Sequence, residues 1–479
     1  MVVRDPLHVA VETTLLVSLL YMVFIRVSRE GYNDSKENLS LAEKEELLSD
    51  WKKNRVPLAP PLDAQPEKED TSQIVVQSQH GKYLTVTLNK NSREDEPRTL
   101  LNFCNFDFLG LQTSSDLKEA SAKALKKYGC GSCGPRGFYG TIDTHLQLEE
   151  CIAKFTNTDA AIMYSDGAST CSSTVAAFAK RGDLLVVDEA VYEPLMTGVY
   201  LSRANVQWFK HNDVDDLERV LKELQIQDKK LGRKPNAQRR FIVVEGLYKN
   251  LGTIAPLDKI VRLKHKYHYR LILDESFSFG TLGETGRGAL EHYHLRPMYD
   301  AEIVTLALEN SIGSIGGVTI GNEEVVDHQR LSGAGYCFSA SAPPFTASAA
   351  IAALQHMEAH PKCVTRLQEK VAYMYKKLGE ADLTHLVVTS DERSPVVVLQ
   401  LYKESIYEAD ITNGIMHECM NRGIAIVATG QDASSHLRTE LAPAIRLTVS
   451  SLQTKDDIDI AIKALVDSSK LVVARYPVS

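Results

Sequence analysis

The stretch Leu271-Ile-Leu-Asp-Glu-Ser-Phe-Ser-Phe-Gly280 carries the reading on which the fold turns. Three apolar residues in a row end on two carboxylates, with a glycine soon after. A strand covered on one face alternates apolar and polar residues, whereas an unbroken apolar run is buried on both. The same design recurs outward in both directions, in Phe241-Ile-Val-Val-Glu245, Asp183-Leu-Leu-Val-Val-Asp188 and Ile303-Val-Thr-Leu-Ala-Leu308. Helix-length segments separate these runs. The pattern predicts a large α/β domain over 99–350, with a mainly parallel sheet covered by helices on both faces. Helical stretches at Ala347–Met357 and Cys363–Leu378 come next. Beyond them Val396-Val-Val-Leu-Gln-Leu401, Ile424-Ala-Ile-Val427 and Ile445-Arg-Leu-Thr-Val449 predict a smaller α+β domain, so that 351–479 holds an interdomain helix and this unit.

Upstream the character differs. Thr13 to Ile25 is uncharged and apolar between Glu12 and Arg26. A bilayer span needs roughly 20 apolar residues, so this run must borrow Leu7–Val11 and tolerate Glu12. Asp5, Glu12 and the bulky Ile25-Arg26-Val27 do not suit a cleaved signal peptide. Residues 1–30 read as a membrane-anchor helix, or as a short hydrophobic helix lying on a membrane or against a partner. Arg26 and Arg29 would leave the bulk of the protein on the cytosolic side. Residues 31–98 read as a polar, proline-rich linker and N-terminal arm. Within them Ser40 and Glu43 stand at capping-box spacing before a helix, and Pro57-Leu-Ala-Pro-Pro-Leu62 has stiff-linker composition.

The net charge of −8 and the lack of a basic stripe exclude a nucleic-acid footprint. Eight cysteines over 479 residues form no disulfide framework. Cys130 and Cys133 are spaced C-x-x-C, but no second such pair or H-x-x-x-H accompanies them, which argues against a metal.

Several stretches, in order, resemble the α-oxoamine synthase family. These are Asn102-Phe-Cys-Asn-Phe-Asp-Phe-Leu-Gly-Leu111, the glycine-rich Gly129-Cys-Gly-Ser-Cys-Gly-Pro-Arg-Gly-Phe-Tyr-Gly140 with His145 and Leu148-Glu149, Leu271–Glu275 with Gly280, and Arg446 in its Arg-x-Thr-Val-Ser strand. The resemblance covers roughly residues 80 to 470. It implies a pyridoxal-phosphate (PLP) transferase fold of type I, preceded here by the N-terminal hydrophobic helix. It also implies condensation of an amino acid with an acyl-CoA, and dimers whose active sites are shared between subunits.

PLP needs a lysine amine, a carboxylate at its ring nitrogen, a stacking ring and a helix N-terminus for its phosphate. Asp274 matches the carboxylate. The lysine should follow the run Ile303–Leu308, yet the chain reads Leu308-Glu-Asn310-Ser-Ile-Gly-Ser-Ile-Gly-Gly317, and no lysine occurs from Tyr267 to Pro361. Asn310 stands at the lysine position, and an amide nitrogen forms no imine. Tyr192 and Phe277 stand where the family has histidines. Tyr164-Ser-Asp-Gly-Ala-Ser-Thr170 leads into a helix and could face an anion, or could only cap that helix. No residue of this chain is thus expected to be catalytic.

The resemblance therefore implies a lysine-bearing partner subunit that holds PLP covalently, the pair forming a heterodimer, with small membrane regulatory subunits as possible further partners. An endoplasmic-reticulum membrane location goes with it. The partner's active-site wall is expected from Cys133, Gly134, Arg136, Tyr139, Tyr336, Phe338, Ser339 and Ser341; the bland alternative is a tight surface loop. Asp274 and Arg446 are expected as vestigial cofactor and substrate positions, Arg446 either keeping a carboxylate site or pairing with an internal acid. Two other functions compete: an active homodimer using another lysine, Lys249 first, and a membrane-tethered scaffold with no role at any catalytic site.

Overall fold

The computed structural model describes residues 14–22, 40–54, 74–88, 96–233, 238–403, 405–430 and 437–476. The chain divides into two units, Met1–Ser72 and Gln73–Ser479. In the first, residues 14–22 are helical, with Leu15, Leu16, Leu19 and Leu20 exposed. A second helix, Leu41–Asn54, begins directly after Ser40. Residues 1–13 and 23–30 of the expected anchor, and the Pro57–Leu62 linker, lie outside the described residues. No helix among the described residues is long and apolar enough to cross a membrane.

The second unit opens with β1 (Ile74–His80), β2 (Tyr83–Leu88) and β3 (Arg98–Asn102), paired antiparallel in sequence. Then β4 (Ala160–Tyr164), β5 (Leu184–Asp188), β6 (Asn205–Phe209), β7 (Arg240–Glu245), β8 (Arg270–Asp274), β9 (Ile303–Ala307) and β10 (Gly317–Gly321) build a seven-stranded sheet. Its order is β4-β10-β9-β8-β7-β5-β6. From β5 to β9 neighbouring strands are parallel, and β10 runs antiparallel to both β9 and β4. The reversal has a local cause. Between β9 and β10 the chain makes a tight loop with Gly313 and Gly316 at positive φ, and so short a connection can only return antiparallel. Every residue of β5, β9 and β10 is buried, as expected of strands covered on both faces.

The C-terminal part carries β11 (Leu386–Val388), β12 (Val396–Leu401), β13 (Ile424–Ala425), β14 (Val427–Thr429) and β15 (Ala444–Thr448), with an antiparallel sheet in the order β11-β12-β15-β14. Strand β13 instead pairs in parallel with β3. The segment assigned to an arm from sequence is therefore partly built into the C-terminal fold, and a Lys82–Asp457 ion pair ties the hairpin to the last long helix, Lys455–Val473. Strand β1 is half exposed, and its polar Gln77, Ser78 and Gln79 conceal that it has a partner.

Strands β5, β7 and β8 end on Asp188, Glu245 and Asp274, and β9 runs on into Glu309 and Asn310. These side chains meet along the carboxyl edge of the sheet, where open α/β folds place their ligands.

Candidate functional site

Asp274 is buried, and both of its carboxylate oxygens are engaged within the chain. Oδ2 accepts from the Thr305 hydroxyl at 2.6 Å, the Cys171 thiol at 2.9 Å and the Ser276 hydroxyl at 3.0 Å; Oδ1 accepts the Ser276 N–H at 3.1 Å. Burial pushes the carboxyl above its ordinary range, and these donors only partly oppose the shift. Thr305 sits opposite Asp274 in the β8–β9 register. Cys171 comes from the helix Gly167–Phe178, and nothing in the sequence links it to Asp274.

Asn310 is buried, and its amide donates to the Ser276 carbonyl at 2.7 Å. The side chain at the lysine position is thus anchored to the backbone of the turn after β8.

On the Cys171 side of Asp274 aromatic rings cluster. Tyr192 and Phe277 are both buried and meet edge-to-face, with centroids 6.0 Å apart. Phe106 packs on the other side of Phe277 at 4.9 Å, also edge-to-face. The Tyr192 hydroxyl lies 3.0 Å from the Cys171 sulfur. Each of the two replacements thus supplies a ring that packs against the chain's own rings. PLP does not fit these residues: no amine is in place, the carboxylate for the ring nitrogen is fully subscribed, and the stacking side is packed. Lys249 does not repair the loss. Its ammonium pairs with Glu193 at 3.4 Å, and it follows β7, not β9, after which the imine-forming lysine is expected.

The expected phosphate end is the N-terminus of the helix Gly167–Phe178. Asp166 caps it, accepting from the Ser169 N–H and hydroxyl, each at 2.7 Å. The carboxylate of Glu309, which sequence reasoning did not single out, packs directly against Gly167, with Oε1 2.5 Å from where a Cβ there would lie. Burial pushes Glu309 up to about 6, with Asp166 adding repulsion. A raised carboxyl favours the folded chain at pH values below its ordinary range, and that contribution is lost as pH rises through about 6. Comparing Glu309→Gln with the parent chain isolates this group. Between pH 4.5 and 7.5 the variant is expected to gain about 2 kcal/mol relative to the parent, read as the difference between their urea unfolding curves. A pH-independent difference would contradict it.

Arg446 lies on β15, with its guanidinium carbon 4.5 Å from the centroid of the Phe106 ring. Its Nε is buried without a partner, and burial lowers its pKa, opposed by the neighbouring Cys104. Among the described residues no carboxylate pairs with it, so the internal-acid alternative finds no support. An unpaired buried cation adds nothing to stability. Arg446→Met is therefore expected to leave unfolding unchanged or to stabilise by about 1 kcal/mol. A loss above about 2 kcal/mol would reveal an acid partner.

The eight expected wall residues separate into two groups. Arg136, Tyr336 and Ser341 are buried inside this chain. Arg136 forms a 2.9 Å ion pair with Glu149, bonds the Met163 carbonyl and Thr141, and stacks on Tyr336. Ser341 bonds Ser132 and the Gly134 and Gly140 carbonyls, fastening the glycine-rich loop. Buried His145 joins in through the Ala342 carbonyl at 2.8 Å. These side chains fasten the glycine-rich loop from within the chain. The outward group is Cys133, Gly134, Tyr139, Phe338 and Ser339, of which Ser339 lies 3.2 Å from the Ser165 hydroxyl. Tyr139 is 95% exposed and Phe338 86%, and Phe138 and Leu331 add 72% and 90%. Of the loop's glycines, Gly140 is demanded locally, because a Cβ there would sit 1.9 Å from the Gly134 oxygen. Gly131 and Gly137 meet nothing within 4 Å and have no positive φ. Nothing within this chain requires glycine at those two positions. Cys130 and Cys133 are free thiols, and no metal-ligand cluster occurs among the described residues.

Comparison with known proteins places this arrangement. The family described as aminotransferase class I and II matches residues 98–465. The long chain base biosynthesis protein 1c of Oryza sativa subsp. japonica is 39% identical over 455 residues, covering 94% of this chain and 89% of that protein. The serine palmitoyltransferase 1 of Dictyostelium discoideum is 37% identical, covering 95% and 92%. The serine palmitoyltransferase 1 of Saccharomyces cerevisiae is 34% identical, covering 83% and 71%. Among solved structures, a serine palmitoyltransferase from S. paucimobilis with a bound PLP–myriocin aldimine superposes with a TM-score of 0.74 at 21% identity, covering 91% of this chain and 100% of that one. At that identity the likeness is one of fold.

Proposed function

Because the chain belongs to the aminotransferase class I and II family, in the group of long chain base biosynthesis protein 1 and serine palmitoyltransferase 1, we propose that it is the non-catalytic but required subunit of a serine palmitoyltransferase. That enzyme condenses L-serine with palmitoyl-CoA to 3-ketosphinganine, the first step of sphingolipid synthesis. The lysine-bearing partner subunit holds PLP and carries out the chemistry. This chain supplies part of the wall of the partner's site.

The observation that carries the reading is Asn310, whose amide is bound to the Ser276 carbonyl where an imine-forming amine is required. Support for a shared site comes from the outward loop. Four large apolar side chains on and beside it stand in solvent, and such patches mark interaction surfaces. Gly131 and Gly137, unconstrained from within, suit close approach by another chain. The N-terminal apolar segment would hold the complex at the endoplasmic-reticulum membrane with the main domain in the cytosol. Small membrane subunits would have access to it there.

Expression with and without a lysine-bearing partner tests the proposal. The chain alone should bind no PLP chromophore and release no CoA from palmitoyl-CoA and serine; the pair should do both. Activity of the lone chain would overturn the reading in favour of a homodimer. A partner that is fully active without this chain would favour a scaffold.

A further inference from the structure

We propose that Glu309 is a built-in anion occupying the phosphate end of the vestigial cofactor site, so that this chain is closed to phosphorylated ligands by a second device, independent of the missing lysine. The inference rests on the reading that this chain holds no cofactor, and it assigns that property to a residue.

The N-terminus of the helix Gly167–Phe178 offers backbone donors and a dipole that attract an anion. Several of the donors at this end are already engaged within the chain. Asp166 takes the Ser169 N–H and hydroxyl and accepts from Ser165 at 3.1 Å. The Thr170 hydroxyl turns back to the Asp166 carbonyl at 2.7 Å. The fit of Glu309 is close: a Cβ placed on Gly167 would lie 2.5 Å from its Oε1, so the carboxylate fills the space that glycine leaves open. A phosphate arriving here would meet two carboxylates and no free donor among these groups. Desolvated like charges at this range strongly disfavour binding.

Glu309 and Asn310 are consecutive and serve opposite ends of one site. The Asn310 amide turns to the Ser276 carbonyl after β8, while the Glu309 carboxylate turns to the helix that follows β4. The chain bends at both residues, which lets consecutive side chains turn to different elements. Two neighbouring substitutions thus close the amine end and the phosphate end together.

The test uses the full chain in complex with a partner subunit whose own imine-forming lysine is replaced by alanine, so that any signal comes from this chain. Pyridoxal 5′-phosphate and unphosphorylated pyridoxal are titrated, with absorbance above 300 nm and the borohydride-trapped mass at position 310 as readouts. Asn310→Lys alone should take up pyridoxal phosphate weakly. Glu309→Thr combined with Asn310→Lys should bind it about tenfold or more tighter, while pyridoxal distinguishes the two variants little. Glu309→Gln with Asn310→Lys removes the charge at nearly constant size, and should also gain if the threonine variant fails to fold. Equal pyridoxal-phosphate affinity with and without the change at 309 would overturn the proposal. So would equal gains for pyridoxal, or no binding by any folded variant. Uptake by the unsubstituted chain is a different result, and would overturn the non-catalytic reading itself.

Discussion

Tyr139→Asp, or Phe338→Asp, is expected to separate this chain from its partner and abolish synthase activity while leaving the chain's own unfolding unchanged. Both side chains project from the wall group and are exposed almost completely, so little within the chain depends on them. At an interface the balance reverses. Buried aromatic anchors typically contribute about 2–4 kcal/mol each, and an aspartate in their place must be desolvated without a partner. Association should weaken by about 30- to 1000-fold. Copurification and CoA release on mixing with the lysine-bearing subunit measure the effect, and circular dichroism of the chain alone controls for folding. Unchanged association with both variants would remove this surface from the interface.

Glu149→Ala should have a comparably large effect by a different route. Glu149 is buried, holds Arg136 at 2.9 Å and accepts the Met163 N–H at 2.8 Å. Removing one member of a buried pair leaves a desolvated charge and costs about 3–5 kcal/mol. Arg136 would keep Thr141, the Met163 carbonyl and the Tyr336 ring, which do not neutralise it. The glycine-rich loop then loses its fastening, so activity of the pair should fall even though Glu149 lies behind the wall. Glu149→Gln retains hydrogen-bonding capacity and should lie between. Thermal unfolding and CoA release are the measurements; equal values for Glu149→Ala and the parent would show that the pair neither stabilises the chain nor positions the loop.

The centre of the sheet was legible because β5, β7 and β8 are apolar runs ending on acids, a pattern set by burial on both faces. The absent lysine was legible because identity at one position decides whether an imine can form. Other features depend on residues far apart in sequence. Cys171 reaches Asp274 across the sheet, and Glu309 reaches Gly167, with no local signal for either. Arg136 and Glu149 both stand in recognisable motifs, but only folding shows them paired and Arg136 buried. The burial of Tyr336 and Ser341 was equally hidden, since a serine or tyrosine in a loop can point outward or inward with equal local propensity. The β1–β2 hairpin was hidden by its own half-exposed, polar alternation.

The most direct test of a catalytically silent chain is to reduce the active two-chain complex with borohydride, digest it and map the pyridoxylated lysine by mass spectrometry. The expected result is a single modified lysine in the partner subunit and none in this chain. Pyridoxylation of any lysine here, Lys249 first among them, would contradict it.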